Sequence, residues 1–381
     1  MMLVEFVPPT PHPLWKLCPQ MGINDVVVKV NPDLTGLPDP WRLETLSSIV
    51  SRLKSAGLNV IALEGDPFDM SSIKEYGARE DSRAEAQRRR EESLSHYREL
   101  LESMGKLGIK LLCYNFMVGK GWSRTGVREV RGGAKATYFS LDENASRRGA
   151  EAQRQTILRV SASPRENLIL TAAQIWENYE YFIKAVMPTA EKCGVRMALH
   201  PDDPCLPSLG GYARIFGSVE AYDRAYALYP SPSNAITFCQ ANFKLMLGNG
   251  ERGTVLATKN AKNTKTLRPL RPLRQKIETL EDVARHFGKR IAFIHIRDVE
   301  GTKEDFTELF HDQGDTDQFA LMQVYRELGL DVPVRGDHVP EMAYDRELTP
   351  EGTPGYFTLG RLFANGYIKA LLQWRDGYKT K

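Results

Sequence analysis

The stretch Cys193-Gly194-Val195-Arg196-Met197-Ala198-Leu199-His200-Pro201-Asp202-Asp203-Pro204 reads as the end of a helix, a short apolar strand and a polar, proline-bracketed turn. Glycine tolerates the left-handed conformation that closes a helix, so Gly194 marks the stop and the strand starts one or two residues later. The cadence recurs at Ser55-Ala56-Gly57-Leu58, Leu107-Gly108-Ile109-Lys110 and Leu328-Gly329-Leu330. Helix, glycine, strand, repeated along a chain, marks a parallel βα fold. Candidate strands fall at 2–6, 25–30, 59–63, 110–114, 196–200, 235–239, 291–295 and 332–334. Eight of them predict an α/β (β/α)8 TIM barrel over an open doubly wound sheet. No G-x-G-x-x-G follows the first strand, which weakens a dinucleotide-binding reading. Helices are predicted over 43–56, 84–107, 173–193, 218–228, 280–287, 318–328 and 356–374. In the third of these, Tyr181, Phe182, Ala185, Val186 and Ala190 recur at helical spacing.

The 381 residues suit one elaborated barrel, since the fold typically takes roughly 250 residues before insertions. The chain is 42% hydrophobic with a mean hydropathy of −0.39, as expected of a soluble globular enzyme. Its 51 basic and 48 acidic residues leave a net charge of +3, too small to imply a nucleic-acid or membrane partner. Cys18, Cys113, Cys193, Cys205 and Cys239 are odd in number and widely spaced, which argues against a disulfide framework and for a reducing compartment. No apolar run approaches the roughly 20 residues of a membrane span. Met1-Met2-Leu3-Val4-Glu5-Phe6 reads as a first strand and not a signal peptide, so the expected location is cytoplasmic.

Segments 119–165 and 245–276 read as insertions, and 66–83 is polar and irregular. Each follows a strand, which places it on the C-terminal face of a barrel, where active sites lie. The run Arg88-Arg89-Arg90-Glu91-Glu92 reads as a solvated helix face, and the Arg/Pro run 264–274 as a solvated loop.

Four strand ends carry a potential metal ligand: His200, Cys239, His295 and Asp337. A lone strand-end histidine is more often structural than a ligand, and a buried cysteine is commonly inert packing. Four such residues at the ends of consecutive parallel strands would meet at one mouth of the barrel, and that convergence makes them a candidate metal site. One thiolate and two imidazoles favour Mn²⁺, Fe²⁺, Co²⁺ or Zn²⁺ over Mg²⁺ and do not choose among the four. Asp202 and Asp203 could orient an imidazole or bind sugar hydroxyls. Cys113-Tyr114-Asn115-Phe116-Met117 and Trp122-Ser123-Arg124-Thr125 read either as a substrate-facing wall, with Asn115 and Arg124 as contacts, or as packing under the insertion.

These patches, with Thr237-Phe238-Cys239, His295-Ile296-Arg297 and Pro354-Gly355-Tyr356, resemble the mannonate dehydratase family over nearly the whole chain. The resemblance implies a TIM barrel that removes water from D-mannonate to give 2-keto-3-deoxy-D-gluconate in hexuronate breakdown. It implies a divalent metal, usually manganese, on His200, Cys239, His295 and Asp337. It implies acid/base roles for His338 and Tyr356, and places Arg297 and Arg214 where the family has arginines near its substrate. The chain also departs from the family pattern. Gln240-Ala241-Asn242 stands for Thr-Gly-Ser after the cysteine, and Phe306-Thr307-Glu308 for Phe-His-Glu, although His311 is kept. Arg335-Gly336-Asp337-His338-Val339-Pro340 stands for Arg-Pro-Asp-His-Gly-Arg. The departures leave open a dehydratase of another sugar acid, and a metal-dependent sugar isomerase or epimerase on the same barrel. A non-catalytic sugar-acid-binding protein is disfavoured, because it has no need of an open metal site. Barrels of this kind often dimerise, so a homodimer is a further expectation.

Overall fold

A computed structural model describes residues 1–78, 82–119, 121–143, 169–248 and 277–374. Its main sheet contains parallel strands that run in chain order around a ring: Met2–Leu3 and Glu5–Val7, then Asp25–Val28, Asn59–Glu64, Leu111–Tyr114, Arg196–Leu199, Asn234–Cys239, Ile291–Ile296 and Pro333–Gly336. Met2–Leu3 and Glu5–Val7 are two halves of one strand broken at Val4. The first half pairs with Pro333–Val334 and the second with Val26–Val28, so this strand closes the ring. The predicted (β/α)8 barrel is therefore present, with its first strand serving both neighbours.

Strand parity decides what faces the centre. Successive side chains point to opposite faces, so every second residue enters the barrel. Val4, Val27, Ala62, Leu111, Cys113, Ala198, Ala235 and Phe293 form the inner cluster. Val26, Val28, Leu63, Met197, Leu199 and Ile236 pack outward against the helices. Carried two residues further, the inner parity delivers Glu64, His200 and His295, and Thr237 passes it on to Cys239.

The helices form for local reasons that the sequence shows. Ala172–Cys193 opens with a reciprocal capping box between Thr171 and Gln174 and closes at Gly194, whose φ is 63°. Leu280–Phe287 opens with a second box, Thr279 and Asp282, and buries Leu280, Val283, Ala284 and Phe287 on one stripe. The last helix, Thr358–Gln373, starts two residues later than predicted, which leaves Tyr356 in the loop at the barrel mouth.

A four-stranded antiparallel sheet sits on the C-terminal side. Gly126–Glu129 and Lys135–Ser140 come from the first predicted insertion, and Val299–Gly301 and Asp305–Glu308 follow the seventh barrel strand. The part of that insertion beyond residue 143, and residues 249–276, lie outside the described residues. No helix among the described residues is long and apolar enough to cross a membrane.

Candidate active site at the barrel mouth

His200, Cys239, His295 and Asp337 converge as the spacing predicts, each offering one donor atom within 4.8 Å of the others. Cys239 lies opposite His295 in the register of neighbouring strands. Asp337 Oδ2 stands 3.9 Å from Cys239 Sγ and 3.5 Å from His295 Nδ1. His200 Nδ1 is 2.8 Å from the Pro201 carbonyl, which makes it the N–H nitrogen and leaves Nε2 as the free donor. Both nitrogens of the fully buried His295 lack a hydrogen-bond partner. A buried imidazole without a hydrogen bond, with carboxylates 3.5 and 3.6 Å from its two nitrogens and a thiol beside it, is a donor set that a divalent cation would complete, so these residues fit a divalent metal.

The electrostatics of the thiol and the carboxylate agree. Burial alone would raise the Cys239 thiol, but His200, His295 and Arg297 outweigh it and bring the pKa down to about 6. Burial also works against the Asp337 carboxylate, and Arg335 with His338 and His295 hold it well below the usual range. On the other side of His295, Glu64 Oε2 stands 3.6 Å from Nε2. A carboxylate on the far nitrogen orients a ligating imidazole and raises its basicity. Glu64 is itself fixed by Arg335, with Nε 3.0 Å from Oε2, and its pKa falls to about 2 as Arg335 and His295 overcome burial.

Beside the donors lies a buried lattice of two arginines and two carboxylates. Arg124 and Arg297 each reach both Asp203 and Glu308, at 2.6–2.8 Å for the closest contacts. Arg297 Nη1 also donates to Asn242 Oδ1 at 2.7 Å, and Asn242 Nδ2 donates to the Asp202 carbonyl at 2.9 Å. Asn242 thus ties Arg297 to the turn after His200, a structural use for the altered tripeptide after Cys239. The lost histidine of Phe-His-Glu maps to Thr307, which accepts from Arg128 Nη1 at 3.2 Å.

His338 and Tyr356 meet, with Nε2 3.0 Å from Oη. His338 Nδ1 lies 3.1 Å from Glu308 Oε1. Burial and then Asp337 raise the Tyr356 phenol well above its ordinary value, so it is protonated at neutral pH. His338 adopts φ +36°, unusual for a residue with a side chain, and Trp122 covers its ring at 5.3 Å between centroids.

A cavity of about 480 Å³ opens over this assembly, within the usual ~300–1,000 Å³ of small-molecule sites. Of the predicted contacts, Asn115 and Asp203 line it, with His200, Asp337, His338 and Tyr356. Arg124, Asp202, Arg214 and Arg297 stand behind the wall. Asp202 accepts from the Phe216 N–H at 2.8 Å and lies 3.7 Å from Arg214. Asn115 Oδ1 accepts from the buried Lys74 at 2.9 Å.

The sequence model of the D-mannonate dehydratase (UxuA) family matches residues 19–251 and 259–380. The chain belongs to the D-mannonate dehydratase family. It is 26% identical over 363 residues to the mannonate dehydratase of Streptococcus equi subsp. zooepidemicus, spanning 92% of this chain and 88% of that one. With the mannonate dehydratase of Lachnoclostridium phytofermentans the identity is 28%, over 87% of both chains. The crystal structure of mannonate dehydratase from Streptococcus suis serotype 2 superposes with a TM-score of 0.72 at 24% identity, covering 98% and 94% of the chains. A zinc-binding IOLI protein shares the barrel at a TM-score of 0.52 and 13% identity, a likeness of fold alone. As a member of the D-mannonate dehydratase family, the protein is an enzyme of the hydro-lyase class. Glu64, Glu308, Arg335 and Lys74 were not singled out from the sequence. Glu64 directly follows the predicted strand 59–63 and ends the observed one, and that position was the available signal.

Proposed function

We propose that the enzyme removes water from D-mannonate to give 2-keto-3-deoxy-D-gluconate, a step of hexuronate breakdown in the cytoplasm, with Mn²⁺ on His200, Cys239, His295 and Asp337. The observation that carries this reading is the convergence of those four donors beside His338 and Tyr356 at the mouth of a family-typical barrel. When bound, the divalent metal acts as a Lewis acid that draws charge from the carboxylate next to the departing proton.

The chain's own residues then handle the protons. Two groups face His338 Nδ1, the ionised Glu308 at 3.1 Å and Arg124 Nη2 at 3.3 Å; the nearer one only accepts, so His338 carries its proton on Nδ1 and presents Nε2 as the base. His338 Nε2 takes the proton α to the carboxylate. The Tyr356 hydroxyl gives its proton to the β-hydroxyl, which leaves as water, and the enol product becomes the 2-keto acid. A proton returns from His338 to Tyr356 across their 3.0 Å contact and restores both groups. Asn115 and Asp203 line the cavity and bind hydroxyls. Arg124 and Arg297 act through Asp203 and Glu308, and Asp202 with Arg214 holds the turn after His200.

Purified protein loaded with Mn²⁺ should form a 2-keto-3-deoxy acid from D-mannonate, and EDTA or Cys239→Ser should abolish it. Bound metal with no turnover of D-mannonate would refute the substrate. Absence of both metal and turnover would refute the enzyme reading.

A further inference from the structure

The metal donors occupy one half of the ring, since they end four neighbouring strands from Arg196–Leu199 to Pro333–Gly336. The cavity continues into the other half, where its wall comes from the loop after the first strand and the end of the second. Two side chains there offer polar atoms that the described protein does not use. Lys29 follows the strand Asp25–Val28 and shares the parity of Val27, which faces the barrel interior. Its stem crosses Gly65: a Cβ placed there would lie 3.2 Å from Lys29 Cε and 3.3 Å from Cδ. Gly65 sits at φ +87°, a conformation that favours glycine and keeps this lane open. Lys29 is half-buried and lines the cavity, and it has no ion pair or hydrogen bond among the described residues.

His12 accepts the Leu14 N–H at Nδ1, 3.2 Å away, so its free Nε2 is the N–H donor. Burial first, and then Arg361, lower its pKa to about 4, which keeps the ring neutral. Arg361 also lines the cavity, but its donors are taken by Glu5 and the carbonyls of Phe6 and Tyr356. Glu351 lines the cavity too; it is exposed to solvent and makes no ion pair with Lys29.

We propose that Lys29 and His12 form a specificity subsite for a second anionic group. The preferred substrate is then a sugar acid charged at both ends, with one carboxylate at the metal half and a carboxylate or phosphate on the terminal carbon. This rests on the dehydratase reading above. Lys29 is a cation at the cavity wall with no counter-ion among the described residues, so its charge is available to an incoming anion. An incoming anion supplies charge-assisted hydrogen bonds there, and a terminal hydroxyl supplies less.

The test compares D-mannonate, D-mannarate and D-mannonate 6-phosphate as substrates of the Mn²⁺-loaded enzyme and of Lys29→Met. Circular dichroism shows that the variant is folded. One doubly charged substrate should exceed D-mannonate in kcat/KM, and which one it is separates carboxylate from phosphate. Lys29→Met should cut that ratio about 10- to 100-fold, chiefly through KM. A wild type that prefers D-mannonate, with the same ratio in the variant, overturns the subsite and leaves the dehydratase reading standing. If none of the three turns over, the dehydratase reading fails. Calorimetric titration of both proteins with the two doubly charged compounds then decides the subsite. Binding weakened by the substitution supports it, and equal or absent binding overturns it.

Discussion

Glu308→Gln isolates the lattice beside the candidate metal donors. Glu308 is 1% exposed and accepts from Arg124, Arg297 and His338. Burial disfavours its charge, but Arg297 and Arg124 win and lower its pKa from 4.5 to about 2. At about 1.36 kcal/mol per tenfold change, that difference is roughly 3 kcal/mol of folding stability at neutral pH. The general cost of removing one partner from a buried ion pair, about 3–5 kcal/mol, is similar. The glutamine keeps the shape and leaves two buried guanidinium groups with Asp203 as their remaining carboxylate. Because the folded pKa is depressed, the contribution is full above the unfolded value near 4.5 and is lost as the pH falls towards 2. Urea unfolding of EDTA-treated protein, followed by circular dichroism, should show the variant roughly 3 kcal/mol less stable at pH 7. By pH 3.5 the gap should shrink by roughly 1.4 kcal/mol, because only the wild type titrates there. A gap below about 0.5 kcal/mol at pH 7, or one unchanged at pH 3.5, would refute the reasoning.

Further outcomes follow from other contacts. His338→Ala and Tyr356→Phe should each lower kcat by about 10²- to 10⁴-fold with metal content retained, measured by keto-acid release and elemental analysis; turnover near wild type would remove them from the proton path. Glu64→Gln should weaken metal binding about 10- to 100-fold in competition with a chromogenic chelator, because His295 loses its orienting carboxylate; unchanged affinity would show that Glu64 does not tune the ligand. Gly360→Ala should destabilise the fold although alanine is the better helix former. Its Cβ would meet the Pro340 carbonyl at 2.4 Å and Val339 Cγ2 at 2.8 Å, so a raised melting temperature would contradict the packing.

The barrel and the convergence of its four candidate donors were legible because both are local. Gly194, Gly108 and Gly57 stop helices just before strands, and a strand places a fixed parity at its end. His200, Cys239, His295 and Asp337 could therefore be read one strand at a time. The partners of those donors could not. Glu308 meets Arg124 from 184 residues away, and Arg335 meets Glu64 from 271. Glu308 has a local hairpin partner in Val299–Gly301, but the other neighbour of its strand in the small sheet, Lys135–Ser140, lies in a distant insertion. Arg124 is expected from the sequence as a substrate contact, and Arg297, by the family resemblance, near the substrate. Their spacing gives no sign that Asp203 and Glu308 already engage both guanidinium groups.

The broken first strand has a consequence for how the molecule comes into being. Glu5–Val7 finds its partner at Val26–Val28, about twenty residues along, whereas Met2–Leu3 waits for Pro333–Val334. During synthesis the growing sheet can add strands on one side only, and its starting edge stays open until the far end of the chain emerges. An exposed parallel edge held that long is a template for wrong partners, and it slows folding by tying completion to the most distant contact in the sheet. The circular order that gives the active site its converging side chains also makes the first residues of the barrel among the last to be locked.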